Sequence, residues 1–149
     1  MSDHWYDDVV MPALLDSARR GYGRAMRQAL ADAGFDDMPR MGIRLVGGIA
    51  RNGPAGPDVA AQLGTRGPRS AGLVETLVER GYIRRESDGA GAATYVLTER
   101  GAAAARVSAG AADAFEAQVR ERVGDDELTR ARAVIAAMVE LSDPHRTEG

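Results

Sequence analysis

Cysteine is absent from the 149 residues, which excludes a disulfide framework, a thiolate metal site and a cysteine nucleophile. The only histidines are His4 and His145, which leaves no histidine metal spacing, so no metal is expected. No stretch approaches the ~18 consecutive apolar residues of a membrane span. The start, MSDHWYDD, is acidic where a signal peptide would be basic. These features predict a cytoplasmic protein with no membrane partner. There is no glycine-rich phosphate loop between a strand and a helix and no nucleophile elbow. His4 with Asp7 and Asp8 could form an acid/base group, but adjacent carboxylates there also read as helix-start charges. Neither an enzyme, a catalytic residue nor a cofactor is therefore expected, and Asp36 and Asp37 read as a turn.

Lysine is absent too, so all 19 basic residues are arginine, and the net charge is −3. Arginine suits phosphate binding, although a GC-rich coding bias would produce the same composition. The distribution of charge says more than its sum. Residues 1–39 carry four Arg against seven acids, residues 40–100 nine against six, and residues 101–149 six against nine. The resulting −3, +3 and −3 suit a nucleic-acid-reading module carried on acidic flanks, because phosphate attraction is local and screened. Ordinary scatter is the alternative.

The flanks read as helices built for association. Leu14, Ala18, Tyr22, Ala25, Met26, Ala29, Leu30 and Ala33 mark one helical face that ends at Gly34. Pro12 either sits in the first turn or bends a helix that began near Trp5. A second helix is predicted from Met41 to about Arg51, broken by Asn52, Gly53 and Pro54. Further on, Val107, Ala111, Phe115, Val119 and Val123 form an apolar row interrupted by Gly124. Asp125 or Asp126 then caps a last helix with Leu128, Ala131, Ile135, Met138 and Val139 inward, and the tail after Ser142 is polar. These rows exceed what one small core covers and imply partner helices; a monomer folding them onto its own core is the alternative. The methionines Met26, Met38, Met41 and Met138 read as core filling rather than pocket.

Between the flanks, Leu73 to Gly101 reads LVETLVERGYIRRESDGAGAATYVLTERG. Leu73, Leu77 and Val78 recur at helical spacing, and Gly81 stops the helix at about Arg80. Tyr82–Arg85 and Thr94–Leu97 are β-favouring runs separated by the turn-rich Glu86–Ala93, and Thr98 can cap the next helix. A hairpin between two helices is a wing. LVERGYIRR followed by YVLTERG resembles the MarR-type transcriptional regulators. The similarity extends upstream through DVAAQLGTRGPRSAGLV, where Asp58–Leu63 would be the first helix of a helix-turn-helix and Gly64 its turn.

The resemblance implies a mainly α fold with a small β-hairpin wing. On that resemblance residues 1–40 would form an N-terminal dimerisation helix, residues 41–101 the winged helix-turn-helix, and residues 102–149 the C-terminal dimerisation helices of one intertwined homodimer. The helix from about Gly67 to Arg80 would enter the major groove of a double-stranded DNA operator, which places Thr65, Arg66, Arg69 and Ser70 near DNA. Arg69 is the candidate guanine reader. The alternatives are a cap for Thr65, a solvated arginine for Arg66 and a buried helix hydroxyl for Ser70. Arg84 and Arg85 would touch phosphate or stay as exposed strand charges. A small aromatic or drug-like effector would lodge among Trp5, Tyr6, Val9, Tyr22, Met26, Met41, Ile43, Arg44 and Phe115; for Trp5 and Tyr6 the alternative is a dimer staple. The chain departs from the family pattern at Gly67, Pro68 and Gly72 and in a wing tip, ESDGAGAAT, that lacks a basic residue. Weakened or altered DNA binding is expected. A repurposed winged-helix dimer that binds or transforms an aromatic small molecule is the second reading.

Overall fold

A computed structural model describes residues 4–56, 68–87, 89, 91 and 93–142, residues 68–71 by their backbone. The described elements are α1 (Met11–Asp32), α2 (Gly42–Asn52), α3 (Pro68–Glu79), β1 (Ile83–Ser87), β2 (Ala93–Leu97), α4 (Glu99–Val123) and α5 (Asp125–Ser142). The helix expected over Asp58–Leu63 and its turn at Gly64 lie outside the described residues. The class is the one the sequence predicts, mainly helical with a two-stranded hairpin. Two compact units divide the chain, Met1–Ala112 and Asp113–Gly149, and α4 runs from one into the other.

Pro12 occupies the first turn of α1, where its missing N–H is one of the donors a helix leaves unpaired anyway. Residues 5–8 form a turn, so no helix begins at Trp5. Helices α1 and α3 end in the same way. Gly34, at φ +86°, donates to the Ala31 carbonyl, and the Phe35 N–H reaches back to Leu30 at 2.8 Å. Gly81, at φ +74°, donates to Val78, and the Tyr82 N–H reaches back to Leu77 at 2.9 Å. Only glycine adopts this left-handed conformation without strain, and each pair of bonds satisfies carbonyls that the helix end would leave open.

Leu77 and Tyr82 are both 0 % exposed, and with Leu30, Leu45, Val46, Ile49, Ala55, Ile83, Ala104 and Ala105 they form the core of the first unit. Phe35, Met38, Ile43, Leu73, Val74, Tyr95, Leu97 and Val107 pack against it. Met38 thus fills core, as its sequence context suggested.

The hairpin pairs Ile83 with Leu97 through Ser87 with Ala93 in antiparallel register. It starts one residue later than the sequence predicts, because the Tyr82 N–H closes α3; the Tyr82 carbonyl still accepts from the N–H of Thr98, opposite it in register, at 3.1 Å. It also runs two residues further, because Glu86 and Ser87, read as turn, continue the ladder opposite Thr94 and Ala93. Ala55 pairs with Tyr95 on the other edge of β2 through bonds of 2.9 and 2.8 Å. Residues just past α2 therefore anchor the wing, whereas the sequence marked them only as a helix break. That break falls at Gly53, with Asn52 still inside α2.

Thr98 caps α4 as expected: its hydroxyl accepts from the Gly101 N–H at 3.0 Å and donates to the Gly81 carbonyl. This first turn lies directly on Tyr82, so a Cβ on Gly101 would stand 1.9 Å from the Tyr82 carbonyl oxygen. In the second unit, α5 begins at Asp125 itself, so Asp125 and Asp126 lie inside its first turn, where acids favour the positive helix end; neither is the cap. Glu116 of α4 takes both carboxylate oxygens to Arg132 of α5 at 2.6 Å. Leu128 and Met138 are half-buried, but Ala131, Ile135 and Val139, which were expected to face inward, are exposed among the described residues.

Gly101→Ala should lower stability by about 3 kcal/mol, since overpacking against backbone cannot relax as it can against a flexible side chain. Gly72→Ala in α3, where an added Cβ meets nothing within 4 Å, should instead stabilise by roughly 0.5–1 kcal/mol. Urea denaturation of both variants checks the pair, and equal effects would contradict the packing described.

Candidate nucleic-acid interface

Helix α3 is amphipathic, with Leu77 in the core, Leu73 and Val74 against it, and Gly72, Glu75, Val78 and Glu79 exposed. Pro68 opens the helix, a position that proline tolerates. Arg69 and Ser70 follow it in the first turn. Thr65 and Arg66 lie outside the described residues. Arg69 is therefore carried on the first turn of a helix whose later turns are held in the core.

Alternation along β1 separates the two wing arginines. Ile83 is buried, and Arg85, two residues on, turns with it toward α3, where it lines a groove with Val74, Glu75, Val78, Glu79 and Tyr95. Arg84 points to the other face and pairs with Glu86 at 2.6 Å, both side chains about half exposed. The two arginines thus cannot grip one phosphate together.

The pitch of α3 is set at its C-terminal end by groups that sequence reasoning passed over. The Tyr82 hydroxyl donates to Asp37 in the α1–α2 connection. Arg100 of α4 donates to the same carboxylate at 2.7 Å and to the Tyr82 oxygen at 3.0 Å. Arg80, just past α3, donates to the Asp37 carbonyl. The Arg100 guanidinium lies 4.6 Å from the Tyr82 ring centre and 5.5 Å from that of Phe35, within range of cation–π attraction. Burial, then the bond to Asp37, pushes the Tyr82 hydroxyl up to about 12. The hydrogen bond from Tyr82, then the Arg100 charge, holds Asp37 below the ordinary carboxylate range. A signal for this cluster was present: Arg100 stands in the first turn of a helix, where the macrodipole disfavours a cation, so a compensating acid was to be expected.

The residues expected to hold an effector are spread over the N-terminal turn, α1, the start of α2 and α4. Trp5 and Tyr6 meet edge to face at 5.7 Å, and His4 stacks on Tyr6 at 4.9 Å. Trp5 is 77 % exposed and Tyr6 43 %. Val9, Tyr22 and Met26 are half-buried, Met41 and Arg44 are exposed, and Ile43 packs on the core. Phe115 is half-buried in the second unit. The groove between α3 and the hairpin is lined by none of them. Among the described residues, no group of three or more His, Cys, Asp or Glu could hold a metal ion, and no helix is long and apolar enough to cross a membrane.

No protein-family model and no curated protein matches the chain. Solved structures do. A MarR transcriptional regulator from Methanosarcina mazei Go1 superposes with a TM-score of 0.75 at 14 % identity, over 91 % of this chain and 91 % of that one. A MarR family transcriptional regulator from Silicibacter pomeroyi DSS gives 0.72 at 21 % identity, over 90 % of each chain. NadR in complex with 4-hydroxyphenylacetate gives 0.67 at 19 % identity, over 93 % of this chain and 95 % of that one. The chain has the winged-helix fold of MarR-type regulators.

Tyr82 holds its proton more tightly folded than unfolded, so its contribution is complete below about pH 10 and is lost as pH rises toward about 12. Asp37 behaves oppositely: its contribution is present above about pH 4 and is lost as pH falls. The Asp37–Arg100 pair is about 40 % exposed on both sides, so screening keeps its share small. Denaturation should show the gap between wild type and Tyr82→Phe closing above about pH 10, and that between wild type and Asp37→Asn closing below about pH 4. Gaps that stay constant would mean the cluster does not form.

Proposed function

We propose that the chain is a homodimeric, ligand-responsive transcriptional regulator of MarR type, which reads an operator with the first turns of α3. The observation that carries this reading is the placement of α3. Its inner face is locked into the core, its C-terminal end is fixed at Tyr82, and its arginine-bearing first turn stands at the other end, within the one segment of net positive charge. Arg69 and Ser70, with Thr65 and Arg66, are the reading residues, and Arg84, on the face turned away from α3, is the phosphate contact of the wing.

Exposed apolar surface supports association of two copies through the terminal helices. Val134, Ile135, Val139 and Leu141 of α5 are exposed, as are Trp5, Tyr6, Val10 and Met11, and surface of this kind marks an interface. A small aromatic effector, of the kind NadR binds in its 4-hydroxyphenylacetate complex, would sit among Trp5, Tyr6, Val9, Tyr22, Met26, Met41, Ile43, Arg44 and Phe115. It would act by favouring a spacing of the two α3 helices that no longer fits half-sites one helical turn apart. Its leverage is its differential affinity for the two spacings. The wing tip without a basic residue favours a second reading, in which the dimer retains small-molecule binding and has lost specific DNA reading.

Arg69→Ala should weaken a specific operator by roughly 1–3 kcal/mol and relax preference at one base pair, whereas Arg84→Ala should weaken all duplexes alike and flatten the salt dependence. Fluorescence anisotropy on matched and scrambled duplexes separates the two, and unchanged affinity in both would remove the interface proposed. Light scattering at micromolar concentration should give about twice the chain mass, lowered in Phe115→Asp, which places a charge in a packed seam. A clean monomer would sink the association proposed.

A further inference from the structure

The connection between α1 and α2 touches the C-terminal end of α3 at two places. At the first, Met38 and Gly42 close on Leu77: a Cβ added at Gly42 would stand 2.9 Å from Leu77 Cδ2 and 2.9 Å from the Met38 sulfur. At the second, Asp37 receives three donors that lie just past the helix. One oxygen of its carboxylate accepts from the Tyr82 hydroxyl and, at 2.7 Å, from Arg100, while its backbone carbonyl accepts from Arg80. Arg100 lies over the rings of Tyr82 and Phe35, and Phe35 belongs to the same connection. The side chains of Arg100 and Asp37 are 40 % and 41 % exposed, so their pairing adds little to stability. What it supplies is direction, because hydrogen bonds weaken steeply as they leave linearity.

We propose that the α1–α2 connection, acting through Asp37, is a specificity-determining element of the proposed DNA interface: it aims the first turn of α3 without touching the duplex. The consequence for DNA rests on the operator reading proposed above, but the aiming of α3 does not. From Arg69 to Glu79 the helix rises about 15 Å. A rotation of about 10° at the held end would therefore carry the Arg69 backbone roughly 2.5 Å. Base readout does not survive such a shift, because hydrogen-bond lengths span only about 0.5 Å. Attraction to phosphate does survive it, because screening leaves that attraction a reach of about 10 Å. Loss of Asp37 should thus remove discrimination and keep the salt dependence, the reverse of losing a phosphate contact.

The test compares the full chain with Asp37→Ala, Arg100→Gln and the double variant. Amide residual dipolar couplings should show residues 73–79 of α3 rotated relative to α2 in each variant. Preference for the duplex flanking the chain's own gene over a scrambled duplex should fall about fivefold, with the slope of log affinity against log salt unchanged. The double variant should be no worse than the worse single, because the two side chains act as one contact. Arg100→Gln replaces an exposed side chain and keeps the bond from Tyr82 to Asp37, so it reports even where Asp37→Ala unfolds. Couplings that leave α3 in place, full discrimination in both single variants, or a flattened salt slope, which would make Arg100 a phosphate contact, would overturn the proposal. A wild-type chain without preference for the flanking duplex would remove the operator reading, and the couplings would still decide whether Asp37 aims α3.

Discussion

Tyr82 closes α3 with its N–H, takes the Thr98 N–H on its carbonyl, fills the core with its ring and donates its hydroxyl to Asp37. Four elements are thereby referred to one residue: α3, the hairpin that starts at Ile83, the helix that starts at Glu99 and the connection after α1. Each bond alone contributes on the order of 1 kcal/mol. Their convergence on a buried ring matters more, because moving α3 relative to α4 would break several at once. Gly101 makes the approach of α4 possible, and Gly81 makes the turn from α3 into the hairpin possible.

This arrangement holds α3 from one end. Its last turns are fixed by Leu77, by the closed helix end and by the contacts of Arg80 and Arg100 with Asp37. Its first turn, which carries Arg69, is held from the far end, as a lever is held from its pivot. A ligand that altered the packing of Phe35 or the α1–α2 connection would therefore reach α3 through Asp37 and Tyr82.

Much of this was legible in the sequence because it rests on local rules. Gly34, Gly53, Gly81 and Gly124 ended helices where the pattern placed the breaks, Thr98 capped α4, and the hairpin appeared between them. The shifts were small: Tyr82 left the strand because its N–H turns back to Leu77, and Glu86 and Ser87 entered it because the ladder continued. Asp37 read as a plain turn residue, since its partners stand 43 to 63 positions away and no periodicity connects them. Ala55 was invisible for the same reason. The opposite faces of Arg84 and Arg85 follow from strand alternation and required only the register to be known.

Affinity for duplex DNA as a function of salt tests the central claim most directly, because it reads the number of phosphates engaged without presupposing the operator. The wild-type chain, titrated onto the duplex flanking its own gene and onto a scrambled duplex, should bind both at low salt with a clear negative slope of log affinity against log salt. It should retain preference for the flanking sequence as salt reaches the physiological range. Absence of binding to either duplex at low salt, or a slope of zero, would contradict the assignment of α3 as a reading helix.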